Sequence, residues 1–262
     1  GVGIARCLPK TAWPLRLDKN GEWHIICLGF RQIHMWMTYH HLGRECFLIP
    51  VTFHEDGWFT AGNGTCEESY ELSGDFAQLP LKTYTLENIG HDICHLRHPH
   101  TENYSITKDK ITLKGTDVTL DDVASPTFAG VRQRDFDMDY SVSVSVFDGE
   151  GGLTVYSCET EHYDLALRKN ESGYEAILRL NIGGIRHIEK AVQIPSGSAK
   201  LIIRSDSQVY KFFVQSQGEE IPMGFAMSKY LSSEVCGGFT GTVIGMYAVK
   251  GSAEFTDLRI SY

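Results

Sequence analysis

The sequence predicts an all-β protein, a two-sheet sandwich or a barrel, and three observations carry that reading. Short apolar segments follow one another along the 262-residue chain, each closed by a turn signal. Tyr140 to Phe147 (YSVSVSVF) alternates without a break, the period of a strand with one buried face. No long stretch carries a helical period, and only MSKYLSSE (227–234) offers a short helix. The 26 glycines against 8 prolines suit many tight turns.

Taken in order, GEWHIICLGF (21–30) is a strand entered through an Asn20-Gly21 turn. CFLIPVTF (46–53) is the next, with Pro50 pointing to an edge or a bulge, and a turn follows at Asp56-Gly57. From Gly62 to about Leu81 the chain is rich in Gly, Glu and Ser and reads as a linker. Beyond it the strands are YSVSVSVF, LTVYSCE, YDLALRK, YEAILRL, AKLIIRS, YKFFVQS, TVIGMYAV and AEFTDLRISY. Asp148-Gly149, Asn170 to Gly173, Gly183-Gly184 and Ser196-Gly197 supply turns among them.

The net charge of −9, with no run of Lys or Arg, argues against a nucleic-acid partner. It is compatible with neutral sugars, which are held by hydrogen bonds and ring stacking. No apolar run reaches the length of a membrane span, so no membrane partner is expected. The 7 cysteines are scattered, without CxxC or a Cys/His zinc spacing. Several lie in strand-like apolar text, so they read as reduced thiols, which favours the cytoplasm. Three Asn-x-Ser/Thr triplets occur, a pattern common by chance. The opening GVGIARCLPK reads as text entered mid-protein. No GxSxG elbow, phosphate-cradling glycine loop or dinucleotide fingerprint is present.

Two segments resemble glycoside hydrolase family 43, the β-xylosidase and α-L-arabinofuranosidase type. GEWHIICLGFR, then HLGRECFLIPVTF and EDGW (Glu55–Trp58), resemble the last blade of that family's five-bladed β-propeller. HLRHPHTENYSIT, SPTFAGVRQRDFDMDYSVSV, LTVYSCETEHYDLAL and CGGFTGTVIGMYAV resemble its C-terminal concanavalin-like sandwich. The resemblance covers nearly the whole chain, and it is the order of the motifs that makes it specific. It implies a propeller remnant and linker over 1–70 and a jelly-roll-like, concanavalin-like antiparallel sandwich over 80–262.

The resemblance also implies what the chain does: the C-terminal portion of an exo-acting hydrolase of xylosides or arabinosides of plant xylan. The family inverts, with an acid and a base spaced to admit a water, roughly 6.5–9.5 Å apart. Its catalytic carboxylates lie on earlier blades, so none is carried over and the chain alone is expected to be inactive. Two substrate-binding residues are carried over. Arg44, in the GRE text, points into the family's pocket, and a guanidinium offers a rigid fork of donors that stays charged. Phe239, in CGGFTG, matches a ring that closes the pocket wall. Ile4 stands where the family has a histidine, and it can neither donate nor ligate.

No cofactor or metal is expected, although a structural Ca²⁺ near Asp257 is compatible with some sandwiches of this type. His40-His41 and the group His95, His98 and His100 read as ordinary histidines, and acids such as Asp121-Asp122 as solvated turns. Expected partners are a xylo- or arabino-oligosaccharide and a partner chain or second copy, because a truncated blade leaves a sheet edge. Two other readings stay open. One is a stand-alone carbohydrate-binding, lectin-like sandwich using Tyr104, Tyr156 and Tyr163. The other is a structural module for oligomerisation.

Overall fold

The computed structural model describes residues 5–7, 13–18, 20–33, 38–64 and 83–262. It divides into two compact units, Gly1–Pro80 with Ser232–Gly241, and Leu81–Leu231 with Thr242–Tyr262. The loop Ser232–Gly241 thus groups with the first unit, although its sequence falls inside the expected sandwich span.

The first unit is an antiparallel sheet. Among the described residues its strands are β1 (Ala5–Cys7), β2 (Trp13–Leu17), β3 (Trp23–Arg31), β4 (Glu45–Phe53) and β5 (Phe59–Ala61). Strand β3 pairs with β1 and β2 along one side and with β4 on the other, and β5 closes the order beyond β4. The expected Asn20-Gly21 and Asp56-Gly57 turns form, with φ +84° at both Gly21 and Gly57. Pro50 is not at a bulge: it faces His24 in a register without shifts, and on its other side it lies just past the β4–β5 pairing, which covers Val51 to Phe53. Its carbonyl accepts from Gly62, just past the end of β5. The N–H it lacks points to that same side, where the ladder has already stopped.

Both faces of this sheet are apolar. The register puts Trp23, Ile25, Ile49, Val51, Phe53 and Phe59 on one face, and Ile26, Leu28, Leu48 and Pro50 on the other. Trp23, Phe53 and Phe59 meet edge to face, with ring centroids 5.8 and 5.9 Å apart. Those three side chains, Ile26 and Leu48 all remain exposed.

The second unit begins with β6 (Tyr84–Thr85), β7 (Tyr104–Ile106), β8 (Ile111–Lys114), β9 (Thr127–Arg132) and β10 (Met138–Val146). Five long strands follow: β11 (Glu150–Cys158), β12 (Glu161–Asn170), β13 (Gly173–Ile182), β14 (Ile185–Ile194) and β15 (Ser198–Ser205). The set closes with β16 (Val209–Ser216), β17 (Glu219–Met227), β18 (Val243–Val249) and β19 (Ser252–Ser261). One sheet runs β17-β16-β15-β10-β19-β8-β7, with β6 on β19; the other runs β14-β13-β12-β11-β18-β9. Every strand pairing in both sheets is antiparallel.

The main core lies between these sheets. Met138, Tyr140, Val142, Val144 and Val146 of β10 all enter it, as the alternation predicts, together with Leu153, Tyr163, Leu178, Phe212 and Phe255. Each such side chain contributes about 1.5–3 kcal/mol by leaving water. A smaller cluster of Phe128, Tyr156, Ala166, Ile177 and Tyr247 covers the outer face of the six-stranded sheet. There Gly130 and Gly245 pair across β9 and β18 beneath the Phe128 ring. A Cβ on either glycine would stand 2.5 Å from that ring. The expected helix near MSKYLSSE is two separate turns, Ser228–Leu231 and Ser233–Cys236.

Candidate functional site

Arg44 and Phe239 come together within the first unit. Between β3 and β4 the chain passes through a buried run, His40-His41-Leu42, before Gly43 turns it at φ +75° into Arg44. The segment runs against the loop Ser232–Gly241. Ser233 donates to the His40 carbonyl (3.1 Å), and Arg44 donates to the Phe239 carbonyl (3.0 Å). Gly43 and Gly241 lie back to back: a Cβ on Gly43 would stand 2.5 Å from the Gly241 nitrogen, and one on Gly241 2.2 Å from the Leu42 carbonyl carbon. Only glycine permits this approach. Gly237 and Gly238, both at positive φ, precede Phe239, whose ring is 69 % exposed.

The Arg44 guanidinium sits 5.3 Å from the ring centroids of both Phe30 and Phe239, within cation–π range on each side. One Nη lies 2.8 Å from His40 Nε2. The imidazole stacks on Phe30 at 4.1 Å and 19°, and its Nδ1 lies 2.6 Å from Glu234 Oε1. The other Glu234 oxygen accepts the His40 backbone N–H at 3.0 Å. Glu45 pairs with Arg31 at 3.1 Å. Burial, helped by the nearby His40 and Arg31, holds His41 neutral with its pKa pushed down to about 3.

A planar array of donors beside an exposed ring is what a sugar needs: hydroxyls to accept the donors, and a C–H face to lie on the ring. His40, read from sequence as ordinary, is 2 % exposed and belongs to this set. Its proximity to Arg44 in the chain was the one signal for it. Glu234 had none.

A second polar cluster lies on the outer face of the six-stranded sheet, in the second unit. His162 and Asp164 are two residues apart on β12 and so share this face. His162 Nδ1 is 2.9 Å from Asp164 Oδ1, and its Nε2 is 3.1 Å from Asp121 Oδ1. Arg179 donates through Nε to Asp164 (3.0 Å) and through both Nη to Glu150 (3.2 and 2.6 Å). The Tyr247 hydroxyl donates to Glu150 at 2.7 Å. Asn181 and Arg186 both donate to Asp121. Asp121 is therefore part of a buried network rather than a solvated turn. A recess of about 260 Å³ lies over this set, lined by Asp121, Glu150, Arg168, Arg179, Arg186 and Tyr247 among others. The charges close on one another, as in a structural network.

Other expectations fall elsewhere. Ile4 lies outside the described residues. Tyr163 is fully buried, with its hydroxyl donated to the Met227 carbonyl at 2.8 Å, and Tyr156 is buried against Phe128. Tyr104 is half-buried, its hydroxyl accepting the Phe128 N–H at 3.1 Å. These three rings form no exposed platform. His95 bonds the Phe128 carbonyl at 2.9 Å. Asp257 sits in β19 at φ +51° and belongs to neither group of three potential metal ligands among the described residues. One of those groups, Asp18, Glu22 and His24, is held by a turn in which Asp18 Oδ1 accepts the Asn20 and Glu22 N–H groups.

Residues 82–259 match the family described as the beta xylosidase C-terminal concanavalin A-like domain. The non-reducing end alpha-L-arabinofuranosidase BoGH43B of Bacteroides ovatus is 32 % identical over 243 residues, covering 88 % of this chain and 46 % of that protein. The solved structure of Bacteroides ovatus xyloglucan PUL GH43B superposes with a TM-score of 0.82 at 31 % identity, covering 94 % of this chain and 52 % of that one. A xylan beta-1,4-xylosidase from Bacillus halodurans C-125 shares the fold, with a TM-score of 0.82 at 22 % identity over 95 % of this chain and 52 % of that one. The chain spans about half the length of the relatives it matches. It is homologous to the C-terminal part of family 43 xylosidases and arabinofuranosidases, and it belongs to the beta xylosidase C-terminal concanavalin A-like domain family of glycoside hydrolase family 43.

Proposed function

We propose that this chain works as the C-terminal part of a longer exo-acting hydrolase that releases arabinosyl or xylosyl units from plant xylan. Arg44 and Phe239 form one wall of its sugar pocket. The observation that carries this reading is the guanidinium held between Phe30 and the exposed Phe239 ring. The activity printed for the Bacteroides ovatus relative supports it. Inverting hydrolysis needs an acid and a base with a water between them. Glu45 and Glu234 beside Arg44 are engaged by Arg31 and His40, so the acid and base come from other parts of the longer protein, and this chain alone is inactive. The first unit's sheet, apolar on both faces, suits a propeller blade flanked by two others. The cysteines are scattered along the chain without a CxxC spacing, and read as reduced thiols they favour a cytoplasmic place of work.

A second reading, a stand-alone sugar-binding sandwich, draws on the recess over Arg179 and Glu150. One experiment separates the two. The chain and its Arg44→Ala variant are tested on aryl β-xyloside and aryl α-L-arabinofuranoside, then titrated with xylose and arabinose by NMR. The proposal expects no hydrolysis, and weak shifts at Arg44 and Phe239 that the variant abolishes. Shifts confined to Arg168, Arg186 and Tyr247 favour the second reading. Hydrolysis that Arg44→Ala removes overturns the placement of the acid and base elsewhere.

A further inference from the structure

We propose that Glu234 and His40 are positioning residues for Arg44: a carboxylate–imidazole–guanidinium relay that fixes the donor plane offered to the sugar. The inference rests on reading Arg44 as the sugar ligand, but the relay itself follows from geometry. A guanidinium only donates. At 2.8 Å from an Arg44 Nη, His40 Nε2 must carry a lone pair, so the imidazole is neutral and its proton sits on Nδ1. That proton points at Glu234 Oε1, 2.6 Å away, a short charge-assisted bond. The opposite tautomer would set two donors against each other at one end and two acceptors at the other.

Three further features hold the relay. Glu234 grips His40 twice, through the ring and through the backbone N–H. The stack on Phe30 sets the ring plane. Burial keeps water from competing for Nε2. The other ionisable neighbours do not reverse the polarity: His41 is neutral and Arg31 is bound to Glu45. Glu234 and Phe239 also belong to one loop, Ser232–Gly241. That loop therefore supplies both the exposed ring and the anchor of the arginine beside it, so displacing it removes wall and donors together.

The test uses the chain without sugar. Long-range ¹H–¹⁵N correlation is expected to show a pyridine-type Nε2 and a pyrrole-type Nδ1 for His40; the reverse pattern, or a doubly protonated ring, overturns the relay. His40→Gln keeps an acceptor near the Nε2 position, whereas His40→Phe keeps the stack on Phe30 and offers none. Water exchange of the Arg44 guanidinium protons is expected to stay slow in His40→Gln. In His40→Phe it quickens by about tenfold, the worth of one charge-assisted hydrogen bond. Equal exchange in both variants overturns the proposal. If His40→Phe fails to fold, the tautomer of the unaltered chain still decides. A correct tautomer with no sugar-induced shift at Arg44 refutes the proposed function and leaves the relay standing.

Discussion

Raising the pH through about 9 will weaken the second unit through His162. Burial alone would push this imidazole's pKa down, but Asp164 and Asp121 outweigh it and raise the value from 6.5 to about 9. Asp164 is shifted the opposite way: burial is overcome by His162 and Arg179, which hold its carboxyl far below the usual range. The sign follows from the raised value. Below pH 6.5 His162 is charged in both the folded and the unfolded chain, and the ion pairs contribute in full. As pH rises from 6.5 to about 9 the unfolded chain sheds the proton while the folded chain keeps it, and the contribution drains away. From 6.5 to about 9, at about 1.4 kcal/mol per pH unit, this amounts to about 3–4 kcal/mol. His162 is 1 % exposed, so solvent screening takes little from this figure. For a unit of this size that is a fall in Tm of about 6–16 °C. The assay is urea or thermal unfolding across this range, comparing the chain with His162→Gln. Burial also raises the pKa of the Cys27 and Cys94 thiols and of several tyrosines. Their alkaline losses are common to both proteins and cancel in the difference. Parallel stability–pH curves for the two would refute the assignment.

Three more perturbations test the packing. Arg179→Met strips Asp164 and Glu150 of their shared cation and should cost about 3–5 kcal/mol in urea unfolding; a loss under about 1 kcal/mol would mean the network is not electrostatically coupled. Gly245→Ala drives a Cβ into the Phe128 ring and should cost about 1–3 kcal/mol by overpacking, read as a lower unfolding midpoint. Phe239→Ala, at an exposed position, should change stability by no more than about 0.5 kcal/mol in thermal unfolding, while the Arg44 side-chain resonances move.

Strand β10 was legible because one of its faces is fully buried and the other, Ser141 aside, is at least partly open to water, so sequence and burial share a period of two. Strands β14 and β17 gave no such signal. Most of β14 is exposed, which removes the apolar face, and β17 is an edge strand that tolerates Pro222 where a central strand would not. Asp121 was misread because its partners, His162, Asn181 and Arg186, are supplied by strands distant in the chain. Arg44 and Phe239 were each found through the family resemblance. Their meeting was not legible, since it depends on Gly43 and Gly241 crossing at backbone contact, and a glycine's motif does not say what passes beside it.

The order of strands along the chain differs from their order in the sheets, and this sets when each part can be completed. Strand β19 lies between β10 and β8, so the strand of this sheet that comes latest in the sequence is the one that joins its two halves. The loop that brings Glu234 and Phe239 to Arg44 also emerges late. During synthesis, Arg44 has Phe30 and His40 at once but Glu234 and Phe239 only after most strands of the second unit, and a chain cut before Ser252 would leave β10 and β8 without the strand between them. The Arg44 cluster and the eight-stranded sheet are thus both completed by residues after Ser232, late relative to β3 and β4.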